Sequence, residues 1–257
     1  MSLDVLHARV ALRERSLWDV FDLAVRFVSV HARPYALTAL AALLPPFAIT
    51  LLIARAGGWL LAWIAAVVLG MFARAPFTVL ASRLVFEEGI GARDALRGAG
   101  RALGRLLVLR LAWMLLFVVS AIFLFIPAIW VGSAFLFVDE VLLLERASIG
   151  GAFVRSQRVA ASALLDAMLA ALFLVLVELA FVALADVGGA MVWDDLLQLG
   201  RPASAFTEGG SVLALAGWFA AIPYVATARF FAYLDARTRS EGWDIQTRFA
   251  ALARESA

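Results

Sequence analysis

Apolar residues run along this chain in long blocks, interrupted at intervals by short charged segments, and the blocks show no strand-like alternation. Six of them approach the roughly 20 residues a helix needs to cross an apolar layer about 30 Å thick. They lie at 35–53, 58–80, 106–125, 127–144, 164–184 and 212–234. The pattern predicts an all-α integral membrane protein, with six transmembrane helices arranged as three hairpins and amphipathic interfacial helices on the cytoplasmic side. Residues 1–257 are expected to form a single membrane domain, of which 235–257 make a cytoplasmic amphipathic tail.

The charged segments between the blocks are themselves periodic. From Ser16, which with Asp19 makes an S-x-x-D cap pattern, Leu17, Trp18, Phe21, Val25 and Val28 share one helical face. Asp19, Asp22, Arg26 and Ser29 occupy the other, as in a helix half-sunk among lipid headgroups. Farther on, Arg93, Arg97, Arg101 and Arg105 recur every fourth residue, opposite Leu96, Ala99 and Leu103. Such a stripe either fixes topology as a solvated face or binds anionic lipid headgroups. The unit of basic helix followed by two apolar blocks starts near Ser16, Gly91 and Ser148, a weak repeat anchored only by Ile90-Gly91 and Ile149-Gly150. The single GxxxG match, Gly100 to Gly104, lies within the Arg stripe, where it says little about helix pairing.

Arginine sits almost entirely in alternate segments. Arg9, Arg13, Arg15, Arg26 and Arg33 precede the first block, and Arg83, Arg93, Arg97, Arg101 and Arg105 separate the second from the third. Arg146, Arg155 and Arg158 lie between the fourth and fifth, and Arg237, Arg239, Arg248 and Arg254 follow the sixth, whereas the other side holds only Arg55 and Arg201. The positive-inside rule then places both termini in the cytoplasm. Composition agrees with a lipid solvent: 64% of the 257 residues are apolar and 16% charged, with a mean hydropathy of +0.94, far from the balance of a water-soluble domain. All basic side chains are arginine, and Ala is abundant, which fits a GC-rich bacterial genome and hence a bacterial inner membrane. The net charge of +2 leaves no nucleic-acid footprint. No apolar stretch follows the basic start, so insertion is expected to rely on the first block and not on a cleaved signal.

Seven ionisable residues fall inside the blocks, where each is costly unless it meets a partner or a wet cavity. Arg110, Asp139, Glu140, Asp166 and Arg229 lie within about five residues, roughly 8 Å, of the cytoplasmic ends, and Arg74 slightly deeper. They are expected to form one polar layer, either paired between hairpins or lining a vestibule. Glu178 stands apart, about 21 Å from the start of its block, with no basic residue at its depth. It is read either as a protonated carboxyl bonded to Ser120 or Ser133, or as a pathway residue for a proton or substrate. Pro45-Pro46, Pro76 and Pro223 are expected to kink or break three of the spans.

Motifs for chemistry are sparse. The chain has no cysteine, and its two histidines, His7 and His31, both precede the first block. Neither H-E-x-x-H nor G-x-S-x-G occurs, and a phosphate loop ending in Lys is impossible. Glu87-Glu88 followed by Arg93 is one residue too long for the paired-glutamate motif of intramembrane CAAX-type proteases, whose membrane histidines are missing. The segment 185–211 is the only long outer connection; a short surface helix is expected over 191–199, and Asp194-Asp195 there is read as solvated or as a divalent-cation or partner site. No metal or cofactor is expected.

The sixth block exits through Tyr233-Leu-Asp235-Ala-Arg237-Thr-Arg239-Ser-Glu241-Gly242-Trp243-Asp244, and Glu145 is followed by Ala152-Phe-Val-Arg155-Ser156. Both segments resemble those of bacterial multi-pass proteins similar to the membrane domain of glycerophosphodiester phosphodiesterases, in stand-alone form without a catalytic domain. The resemblance implies six spans and does not carry the phosphodiesterase activity. Physically, Trp243 suits an interfacial anchor, Gly242 a turn, and Asp235, Arg237, Arg239 and Glu241 a salt-bridged cap or a docking site for a cytoplasmic partner. The sequence thus leads to a non-enzymatic component that scaffolds or anchors partners or lipids, anionic ones above all, at the cytoplasmic face. The alternative is a transporter or channel-like protein for a small or lipid-like substrate, using the intramembrane charges.

Overall fold

The computed structural model describes residues 15–87, 91–123, 125–145, 147–200 and 202–241, and every regular element among them is helical. In order these are α1 (Leu17–Val30), α2 (Ala32–Gly57), α3 (Trp59–Ala73), α4 (Ala75–Phe86), α5 (Ala92–Phe123), α6 (Phe125–Ala134), α7 (Val138–Leu144), α8 (Ile149–Ala161), α9 (Leu164–Ala183), α10 (Gly189–Met191), α11 (Ala205–Glu208) and α12 (Val212–Glu241). Five helices, some built from consecutive segments, are long and apolar enough to cross a membrane: Ala32–Gly57, Trp59–Phe86, Ala92–Ser120, Leu164–Leu196 and Val212–Glu241. The expected fourth span, 127–144, is divided into α6 and α7 by a turn at 135–137 and is not among the five.

Several boundaries move. The second span runs on past Leu80 to Phe86, and the fifth past Leu184 to Leu196 through π-helical turns at Leu184–Gly188 and Val192–Leu196 on either side of α10. The expected surface helix over 191–199 is therefore the last turns of the same rod. The tail expected from 235 begins as a continuation of α12, and Ala236 and Thr238 are buried in it. Of the prolines expected to kink or break spans, only Pro76 accompanies a break, the one at Arg74 between α3 and α4; α2 and α12 continue through Pro45-Pro46 and Pro223. In α12 the Thr227 hydroxyl donates to the Pro223 carbonyl at 2.7 Å and also bonds the Tyr35 hydroxyl, which ties α2 to α12 beside the proline.

At α1 the Ser16 hydroxyl caps the Asp19 amide as the cap pattern predicts. The face that packs is Val20, Phe21, Ala24 and Phe27, while Trp18 and Val25 are exposed. The expected apolar face is thus split between protein and surroundings, because α1 crosses α12: the Arg15 amide donates to Asp235 at one end and Phe27 meets Phe231 at the other. On α5 the Arg stripe is exposed and Ala95, Ala99, Ala102 and Leu106 are buried, so Leu103 is not part of the packed face. Gly98, not Gly100 or Gly104, makes the close contact there, against Val79 of α4.

Helix α12 is the hub. Gly217 lies so close to α9 that a Cβ would strike the Phe181 carbonyl and Ala185, and Gly70 of α3 faces Trp218, whose indole N–H donates to the Ala66 carbonyl. Small residues at such crossings let backbones approach where dispersion replaces the hydrophobic effect. Outside this centre, leucines such as Leu60, Leu111, Leu115, Leu172 and Leu179 point outward, more than half exposed. Between α2 and α3 the chain turns at Gly58, whose φ of +83° glycine alone adopts at no steric cost.

Candidate functional site

Six ionisable residues, five of them from four helices and Arg74 from the break between α3 and α4, converge inside the apolar body. Arg110 of α5 pairs with Asp139 of α7, and Arg229 of α12 pairs with Asp139 at 3.3 Å and Glu140 at 3.0 Å. Arg229 also donates to the Leu136 carbonyl, a group freed by the break between α6 and α7. The break therefore has a structural use: it aims one unpaired carbonyl at a buried cation. Just before Pro76, Arg74 reaches across to Glu178 of α9 and pairs with it. All four members of the lower cluster are buried, and Glu178 is 8% exposed.

The lone carboxyl expected at Glu178 is corrected by that pair. Ser120 and Ser133 donate instead to carbonyls of their own helices, at Leu116 and Ile129. The difference is one of depth. Glu178 belongs to a rod that starts at Leu164 and continues to Leu196, and Arg74 to one that runs from Trp59 to Phe86, so both sit near the middle of their rods. Asp166 is also corrected. It leaves the polar layer to pair at 2.8 Å with Arg239, which lies about 15 Å beyond Arg229 along α12.

Between the two tiers lies a cavity of about 10 Å³ lined by Arg74, Thr78, Leu106, Asp139, Glu140 and Arg229, with Met71, Ala75, Leu143 and Ala226. That is room for at most one water. The Nε atoms of Arg74, Arg110 and Arg229 and the Asp139 Oδ1 are buried without a partner among the described residues. In a low-dielectric interior such a network is held by mutual attraction and strongly penalises any unmatched member. Three cations and three carboxylates give it no net charge.

A second network closes the basic end of the bundle. Arg155 of α8 bridges Glu145, at 3.3 Å, and Glu241 of α12. Arg237 binds Glu241 at 3.0 Å, and both Arg237 and the Tyr233 hydroxyl reach Glu145. Arg239 adds Asp235 at 2.9 Å and the Arg15 carbonyl to its bond with Asp166. The two segments that carried the family resemblance thus interlock through Glu145, Arg155, Tyr233, Arg237 and Glu241. Gly242, Trp243 and Asp244 lie outside the described residues, as do Glu88 and Arg201.

Arg93, Arg97, Arg101 and Arg105 are all exposed, and none takes part in a hydrogen bond or ion pair among the described residues. At the far end of the bundle Asp186, which the sequence alone assigns to the outer loop, is buried and accepts from Ser204, the Ala205 amide and Ser211, so it ties the outer connection to the start of α12. Its signal in the sequence is slight: one acid followed by two serines. Asp194 and Asp195 join no cluster of three metal-ligating side chains among the described residues. No family model, curated protein or solved structure matches the chain.

Proposed function

We propose that this chain is a non-enzymatic component of a bacterial inner membrane, crossing it six times with both termini in the cytoplasm, that anchors lipids or partners at the cytoplasmic face. One contrast carries the reading: Asp139, Glu140 and Glu178 are each matched to an arginine inside the fold, whereas the four arginines of the α5 stripe are exposed and unmatched. Charges that are sealed hold a bundle together, and charges left open act on something outside it. A transport path that used the buried charges would have to pass this network, and the cavity within it has space for one water only. The interlocked cap at Tyr233, Arg237 and Glu241 fits a scaffold, since it joins α7, α8 and α12 into one surface. The resemblance to phosphodiesterase membrane domains agrees with a membrane part that works without its own catalysis.

Anionic lipid headgroups are the partner chemistry that the open stripe fits best. The test is lipid selectivity of the reconstituted full chain, read with spin-labelled phosphatidylglycerol and phosphatidylcholine. Preferential immobilisation of phosphatidylglycerol is expected, and it should vanish when Arg93, Arg97, Arg101 and Arg105 are all changed to Gln. Equal immobilisation of both lipids by the unaltered chain would overturn the proposal.

A further inference from the structure

The α5 stripe runs inward to the level of the buried cavity. Leu106, the residue after Arg105, lines the same buried cavity as Arg74, Asp139, Glu140 and Arg229. Gly98 lies against Val79 of α4, little more than a helical turn past Arg74, which sets the register of α5 against α4 independently. Arg105 thus stands on the outer face of α5 at the level of that cavity, and Arg101 one helical turn nearer the basic end. Their flanks there are apolar and open: Leu103 is 49% exposed, Leu107 49% and Leu111 58%. Two exposed cations are set among leucines in the apolar belt, with no counter-charge from the fold.

An unpaired arginine at that depth is tolerated when its head reaches water or phosphate, by leaning toward the interface or by drawing the interface inward. Helical side chains lean toward the N-terminus of their helix, which in α5 is the basic end. Each guanidinium therefore points back toward the next arginine of the stripe, and the four form a ladder along about 18 Å of helix. We infer that Arg101 and Arg105 draw anionic phospholipid headgroups below the cytoplasmic surface, to the depth of the buried charge layer, so that the leaflet is locally thinned beside α5. The inference rests on the lipid-anchoring reading above and adds where the phosphates sit. A soluble acidic partner could meet Arg93 and Arg97 but not the two rungs sunk among leucines.

Because the chain has no cysteine, a single nitroxide can be placed by Leu107→Cys, one residue past the cavity-lining Leu106. A second, by Leu179→Cys, serves as control: it is exposed and follows Glu178, the partner of Arg74. In vesicles of phosphatidylethanolamine and phosphatidylglycerol, contact with a water-soluble nickel chelate is expected at 107 and not at 179. Arg101→Gln with Arg105→Gln should reduce position 107 to the value at 179, and the paired Lys substitutions should retain the contact. All four side chains are exposed and unpaired or lipid-facing, and an unchanged unfolding midpoint verifies the fold of each variant. A label at 107 that is as dry as that at 179, or wet regardless of the two arginines, overturns the inference. Phosphatidylglycerol selectivity that persists with a dry label leaves the anchoring reading standing alone, and lost selectivity removes both.

Discussion

Removing the carboxylate of Glu178 would leave the Arg74 guanidinium without its ion-pair partner, in a cavity whose other carboxylates, Asp139 and Glu140, are matched to Arg110 and Arg229. Breaking a buried pair by one partner costs about 3–5 kcal/mol, whereas replacing both with apolar side chains is often neutral. Glu178→Ala is accordingly expected to lower stability by about that amount, and Arg74→Met with Glu178→Leu to recover most of it, both read by equilibrium unfolding in mixed micelles. The lower cluster should rank its acids. Asp139 is the acid that pairs with Arg110, while Arg229 keeps the Leu136 carbonyl and Asp139 when Glu140 is lost. Asp139→Asn should therefore destabilise more than Glu140→Gln, and the reverse order in the same unfolding assay would contradict the network described. Arg110, Asp139, Glu140 and Arg229 are legible in the sequence as one layer because each lies close to a charged segment that marks its depth. The partner of Glu178 is not, since the apolar block ends at Leu184 while the helix runs on to Leu196, and the shorter block sets Glu178 too near the outer surface.

Periodicity locates every long helix, but about 20 apolar residues in a row leave lipid-facing and packed faces chemically alike. It therefore does not tell which face of a helix packs. On α1, Phe21 and Phe27 pack against Phe173 and Phe231, whereas Val25 is open and Trp18, edge-on to Phe173, stays largely exposed. Breaks are equally hard to foresee: α2 and α12 run through their prolines, while the turn at 135–137 contains none. Where helices truly touch, the signal is a small residue whose neighbours are backbone. Gly217 is the clearest case, facing the Phe181 carbonyl, which cannot rotate away as a side chain can. Gly217→Ala should cost about 1–3 kcal/mol by overpacking α9 against α12. Gly100→Ala, at a helical position with open space around it, should be neutral or slightly stabilising, and equal effects in the unfolding assay would rule out the close crossing.

At the scale of the molecule, the number of crossings turns on α6 and α7, which together are shorter than the five long rods and broken in the middle. The charge register argues that they cross. Arg110 stands about as far along the chain from the end of α5 at Phe123 as its partner Asp139 stands from the start of α6 at Phe125, so the hairpin returns to the depth it left. The chain then reaches Glu145, which binds Tyr233 and Arg237 near the C-terminal end of α12, the end where Arg15 also meets Asp235. Arg155 of α8 pairs with Glu145 and Glu241, so Gln157 lies on the side of that cap, while Thr207 of α11 lies by the start of α12, at the other end of that rod. Single cysteines at these two exposed sites, challenged in spheroplasts with a membrane-impermeant maleimide, read the side that each end of the bundle faces. Six crossings with cytoplasmic termini require Thr207→Cys to react in intact cells and Gln157→Cys only after lysis. The opposite pattern would place the cap outside the cell, and with it the arginine ladder, away from the anionic cytoplasmic surface that the anchoring role requires.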